Sequence, residues 1–167
     1  MVEIKELSFF DSQSYLNRFQ LLEKAYGADW YGAEDENATY IWLFEDINKP
    51  LGFLSYKVLI LPNKIDFIYI VKIYALNTHR GNNPTLVEEE RISKILFRQI
   101  DRKDVNILTL ESACKELDVY YKSLGFEYNE ERSNKFSKII GISEKIMYKQ
   151  KKDIELSDEE KIFFSKE

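Results

Sequence analysis

The run Ile65-Asp-Phe-Ile-Tyr-Ile-Val-Lys-Ile-Tyr-Ala-Leu76 constrains this chain more than any other segment. Its β-branched and aromatic side chains fall on odd and even positions alike, so a strand made from it is apolar on both faces. Such a strand needs cover on each side, and 167 residues are enough to supply it within one domain.

The segments around it alternate in type. Glu3–Leu7 has the period of a short first strand, and Asp11 or Ser12 can cap a helix carrying Tyr15, Phe19, Leu22 and Tyr26 at helical spacing. Gly27–Asn37 has no period and reads as loop or short helix. Tyr40–Glu45 and Leu51–Ile60 flank Asp46-Ile-Asn-Lys-Pro50, which predicts a hairpin, and Pro62-Asn-Lys64 turns into the long run. The turn cluster Asn77–Pro84 leads to a helix with the stripe Ile92, Ile95, Leu96 and Ile100. Val105–Glu111 is a further strand. Ser112 can cap a helix with Leu117, Tyr120, Tyr121 and Leu124 on one face, stopped by Gly125 at C′. Phe126–Glu131 and Glu144–Gln150 read as two last strands. Ser157-Asp-Glu-Glu160 has capping-box spacing before Ile162-Phe-Phe164, so residues 151–167 read as a short helical tail appended to a domain of residues 1–150.

Cys114 and His79 are the chain's single cysteine and histidine, so no internal disulfide forms, and no metal site is expected. No nucleophile-elbow pattern is present to build a triad on His79. A balance of 24 basic against 29 acidic residues gives a net charge of −5, a field that repels a phosphate backbone, so no nucleic-acid partner is expected. No apolar run approaches the ~20 residues of a bilayer span, and Met1–Phe10 lacks the pattern of a signal peptide; the expectation is a cytoplasmic protein with no membrane partner.

Two segments carry a family resemblance. Ile73-Tyr-Ala-Leu-Asn-Thr-His-Arg-Gly81 is an apolar strand end running into Arg-Gly, and Tyr121-Lys-Ser-Leu-Gly-Phe126 is a tyrosine-x-x-x-Gly-Phe segment after a strand. Together with the element order, they resemble the GNAT superfamily of acyl-CoA-dependent N-acyltransferases. The resemblance covers roughly residues 1–150. It implies an α/β (α+β) fold with a mixed central sheet of six to seven strands flanked by helices, and transfer of an acetyl group from acetyl-CoA to an amine.

It also implies roles. The family binds the cofactor's pyrophosphate with backbone N–H groups at a helix N-terminus, and Arg80, Gly81, Asn82, Asn83 and Thr85 fill that frame here. Asn83 and Thr85 stand where the family has small residues, and Pro84 offers no N–H. Glu88-Glu-Glu90 then crowd the helix start and would repel a phosphate. The backbone of Tyr74, Ala75 and Leu76 would hold and polarise the thioester carbonyl. Cys114 sits where the family often has an asparagine on the pantetheine arm, although a buried inert thiol is the plainer reading. Tyr121 aligns with the tyrosine that protonates the leaving sulfur, while its place on an apolar stripe equally suits core packing.

The family's strand glutamate is replaced by Val71 and Lys72, which leaves the general base open. Asp29, Glu34 and Asp35 are loop alternatives, and His79 suits packing beside the turn. The acidic, aromatic stretch Trp30–Glu36 would suit a small cationic amine better than nucleic acid, and the expected acceptor is an amine of a small molecule or peptide. The alternative is a GNAT-fold module that has lost catalysis and binds a partner, with residues 151–167 as a docking element, a homodimer included.

Overall fold

In a computed structural model, the described residues are 3–25, 37–46, 49–62, 67–78, 92–112, 115–140 and 145–151. Among them the element order is β1 (Glu3–Ser8), α1 (Phe9–Ala25), β2 (Thr39–Asp46), β3 (Lys49–Pro62), β4 (Phe67–Thr78), α2 (Ile92–Asp101), β5 (Ile107–Glu111), α3 (Lys115–Ser123), α4 (Glu130–Ile140) and β6 (Ile146–Gln150). The six strands form one mixed sheet in the order β1-β2-β3-β4-β5-β6. No helix among the described residues is long and apolar enough to cross a membrane. The expected tail helix, residues 151–167, lies outside the described residues apart from Lys151.

The chain divides into two compact units, Met1–Lys57 with Tyr74–Lys103, and Val58–Ile73 with Asp104–Glu167. In the first unit, β1 and β2 pair antiparallel from Glu3↔Phe44 to Ser8↔Thr39, and β2 and β3 form the expected hairpin, closed at Asp46↔Lys49. Alternation sends Tyr40, Trp42 and Phe44 to one face of β2, where they pack with Leu16, Ala38 and Phe53. Trp42 lies 4.8 Å from Phe53 and 5.8 Å from Phe44, ring centroid to ring centroid. Ile41 and Leu43 point to the opposite face and are buried too, and α2 packs on β2 through a stripe that buries Ile92, Leu96, Phe97 and Ile100. β2 is thus covered on both sides, and β4 likewise buries Ile68, Ile70, Val71 and Ile73 at odd and even positions.

The start of α1 differs from expectation. Ser8, not Asp11 or Ser12, is the N-cap: its Oγ accepts the Asp11 backbone N–H at 3.1 Å. Ser12 is buried within the helix, and its Oγ accepts the Trp42 indole N–H at 2.9 Å. That bond satisfies an otherwise orphaned donor in an aromatic core.

In the second unit, β4 and β5 run parallel from Ile70↔Ile107 to Ile73↔Leu110, and β5 pairs antiparallel with β6 from Ile107↔Gln150 to Glu111↔Ile146. Asn106 fixes the start of the parallel ladder. Its backbone N–H donates to the Tyr69 carbonyl at 3.0 Å, and its Oδ1 accepts the Tyr69 N–H at 2.8 Å. One apolar cluster gathers Ile68, Ile70, Ile107, Ile146 and Tyr148 under Phe136 of α4.

Helix α4 corrects the expected strand Phe126–Glu131. Only Glu127 makes a bridge there, exchanging both backbone hydrogen bonds with Tyr148, and the chain turns helical at Glu130. Asn129 caps it, with Oδ1 accepting the Arg132 N–H at 3.0 Å. Glu130 and Glu131 then place negative charge in the first turn, where the helix dipole favours it.

Candidate functional site

Helix α3 follows β5 and carries Tyr121 near its end. The helix closes in a Schellman motif: Phe126 N–H donates to the Tyr121 carbonyl at 3.1 Å and Gly125 N–H to the Lys122 carbonyl at 3.0 Å. Gly125 has φ of +98°, a region costly for any residue with a Cβ. The side chains that accompany the motif also meet, with the Tyr121 and Phe126 rings 6.2 Å apart and edge to face. Lys149 of β6 reaches over the turn and donates to the Leu124 carbonyl at 3.1 Å. The tyrosine-x-x-x-Gly-Phe segment is therefore a helix stop whose two aromatics pack on each other. Tyr121 is buried, whereas Leu117, Tyr120 and Leu124 of the expected stripe are only half-buried.

The start of α3 is tied down by a cluster that sequence reasoning missed. The Ser112 backbone N–H donates to the Lys145 carbonyl at 2.9 Å, extending the β5/β6 pairing by one step. The Ser112 hydroxyl donates to Asp118, and the two residues between Ser112 and the start of α3, where a cap would act, lie outside those described. The Lys145 ammonium binds the same carboxylate at 2.5 Å and lies 4.3 Å from the Tyr128 ring centroid. The hydrogen bonds from Lys145, then Ser112, hold the Asp118 carboxyl below its usual range. Asp118 is thus an acceptor fixed as the anion, unsuited to take up a proton near neutrality. The signal in the sequence was thin: Ser112 and Asp118 stand six residues apart, and Lys145 is far along the chain.

The remaining expected residues divide by position. Tyr74, Ala75 and Leu76 belong to β4 and continue that strand past Ile73, where its ladder with β5 ends. They fall in the first unit and Tyr121 in the second. Val71 is fully buried and Lys72 half-buried, each within the β4/β5 ladder. Arg80, Gly81, Asn82, Asn83, Thr85 and Cys114 lie outside the described residues, as do His79, Asp29, Glu34 and Asp35.

The first unit holds a second polar cluster. The Lys103 ammonium donates to both oxygens of Glu6, at 2.8 and 2.6 Å, and the Tyr56 hydroxyl donates to Glu6 Oε1. Burial pushes the Glu6 carboxyl up, but the bonds from Lys103 and Tyr56 outweigh it and leave the group below its usual value. Burial, and then the bond to Glu6, push the Tyr56 phenol well above its ordinary range. Each group is paired, and the cluster joins β1, β3 and the residues after α2 as a structural tie.

No protein-family model and no curated protein matches the sequence. Solved structures do match it. A GNAT-family acetyltransferase from Staphylococcus aureus superposes with a TM-score of 0.60 at 10% identity, covering 91% of this chain and 100% of that one. Arabidopsis thaliana NAA60 in complex with a bisubstrate analogue gives 0.53 at 12% identity, over 78% and 86% of the two chains. AtaT complexed with acetyl-methionyl-tRNAfMet gives 0.51 at 13% identity, over 90% and 95%. At such identities the likeness lies in the backbone, and it agrees with the mixed six-stranded sheet and its helices. The chain has the fold of the GNAT superfamily of N-acetyltransferases.

Proposed function

We propose that the protein is an acyl-CoA-dependent N-acyltransferase that moves an acetyl group from acetyl-CoA to an amine of a small molecule or peptide. One observation carries the reading: the GNAT fold occurs together with a tyrosine held at the stop of α3 by the Gly125–Phe126 turn. In this reading the neutral amine nitrogen attacks the thioester carbonyl, the carbon–sulfur bond breaks, and the proton lost by the nitrogen passes to solvent water. Tyr121 gives its proton to the departing thiolate, a match of acid to leaving group that a phenol of pKa ~10 suits.

The backbone of Tyr74, Ala75 and Leu76 is suited to polarise the carbonyl, because those residues extend beyond the ladder that occupies β4 up to Ile73. Arg80, Gly81, Asn82, Asn83 and Thr85 would meet the pyrophosphate, and Cys114 the pantetheine arm. The AtaT structure holds an acetylated aminoacyl-tRNA, which makes an amine carried on tRNA the nucleic-acid alternative. The net charge of −5 weighs against it.

A second reading, a GNAT-fold partner module without catalysis, is favoured by Val71, whose fully buried side chain stands where the family has a carboxylate. Calorimetry with acetyl-CoA separates the two. Saturable micromolar binding, weakened at least tenfold in Arg80→Ala and unchanged in Tyr121→Phe, supports the enzyme. Absence of binding at millimolar acetyl-CoA leaves the partner module.

A further inference from the structure

Arg132 is among the largest fully buried side chains of the protein, 1% exposed. Its Nε and Nη1 have no hydrogen-bond partner among the described residues. Among the described residues the guanidinium's hydrogen bond runs from Nη2 to Gln150 Oε1 at 3.4 Å, long for a good bond and made to a neutral amide. The guanidinium also lies 4.6 Å from the centroid of the Tyr148 ring. Among the described residues no carboxylate forms a salt bridge with it; neighbouring Glu131 turns outward to Lys135 at 3.7 Å. A buried guanidinium cannot shed its proton to escape the cost of desolvation, unlike a lysine or histidine. Three of its five N–H donors (one on Nε and two on Nη1) therefore stand unused among the described residues.

We propose that Arg132 anchors an oxyanion site that nothing in the acyltransferase reading uses, taking a phosphate or carboxylate group in the place now held by the Gln150 side chain. Gln150 is only half-buried, and an outward rotation of its amide would open the path to the guanidinium. An anionic oxygen there would bond at roughly 2.7–2.9 Å, and such charge-assisted bonds are about twice as strong as neutral ones. The Tyr148 face would remain behind the guanidinium as a flat backing. The site lies wholly within α4 and β6, so it stands or falls independently of acyl transfer.

The test is thermal unfolding of the whole chain in inorganic phosphate, in acetate and in chloride at matched ionic strength, for wild type, Arg132→Met and Gln150→Glu. Phosphate or acetate at ten times its dissociation constant should raise the wild-type Tm by roughly 3–6 °C over chloride. The ion that does so tells a phosphate-bearing ligand from a carboxylate-bearing one. Arg132→Met should melt at or above wild type in chloride and show no shift. Gln150→Glu, which supplies the carboxylate from within, should melt higher than wild type in chloride and also lose the response. No shift in wild type, or an equal shift in Arg132→Met, overturns the site. So does a Gln150→Glu protein that melts below wild type in chloride.

Discussion

The two units differ in the charge of what they bury: each leaves a polar group without a partner among the described residues, Ser55 Oγ in the first and Arg132 Nε and Nη1 in the second, and only the second is a cation. In the first, the indole of Trp42 finds Ser12, and Glu6 collects bonds from both Lys103 and Tyr56. In the second, a guanidinium is buried against Tyr148 with a single long bond among the described residues. The cores differ as well: Tyr40, Trp42, Phe44 and Phe53 fill the first, whereas the second is mainly isoleucine under Phe136. A lone buried hydroxyl such as that of Ser55 can be read as structure alone. A buried cation without a matching anion among the described residues is instead what the oxyanion site rests on.

Three substitutions test that contrast. The largest effect is expected from Trp42→Ala, which removes a fully buried ring together with its bond to Ser12. A loss of about 3–5 kcal/mol in chemical denaturation is expected, and a loss below ~1 kcal/mol would show that the aromatic core does not carry the first unit. Next is Gly125→Ala in the second unit. A Cβ there would lie 3.1 Å from Lys149 Cε at a backbone angle that disfavours it. A cost of about 1–2 kcal/mol follows, whereas the same exchange at an ordinary helix position stabilises by about 1 kcal/mol.

The smallest is Tyr56→Phe, about 1 kcal/mol near neutrality, because the buried ring stays and one hydrogen bond goes. Its sharper signature is in pH. Glu6 has a lowered pKa in the fold, so its contribution is present above the ordinary value of 4.5 and is lost as pH falls through the folded value. With Tyr56→Phe the folded pKa moves back up and less stability is lost on acidification. Urea denaturation at pH 6 and pH 3 measures it; equal acid losses in wild type and variant would remove Glu6 from the tie.

Much of the sheet was legible because its strands announce themselves by composition. The hairpin of β2 and β3 and the central strand β4 lie within two residues of their expected limits. Gly125 was legible for a different reason, since only a left-handed residue lets Phe126 fold back onto Tyr121. Helix α4 was not, because Glu130–Lys135 is polar throughout and its inward residues Phe136, Ile139 and Ile140 span barely one turn. The capping pattern of Asn129 before Glu130 and Glu131 was the available clue. The cap of α1 was misassigned because a serine near a helix start has several uses. Ser8 caps, while Ser12 and Ser112 serve the indole and Asp118. The Asp118–Lys145 pair and the Glu6–Lys103 pair depend on contacts distant in sequence, which one chain read alone does not reveal.

The parallel ladder of β4 and β5 has a consequence for how the chain reaches this state. Its two strands are separated by the whole of α2 and the segments around it, and β6 can join only after β5 is in place. Strand β3 and strand β4 each begin in one unit and end in the other. During synthesis, the apolar stretch Phe67–Ile73 leaves the ribosome well before Ile107–Leu110 exists to pair with it. Distant pairing of this kind slows folding, and it leaves a sticky strand exposed in the interval. A nascent chain stalled before β5 should therefore be a preferred client of chaperones that hold extended apolar segments.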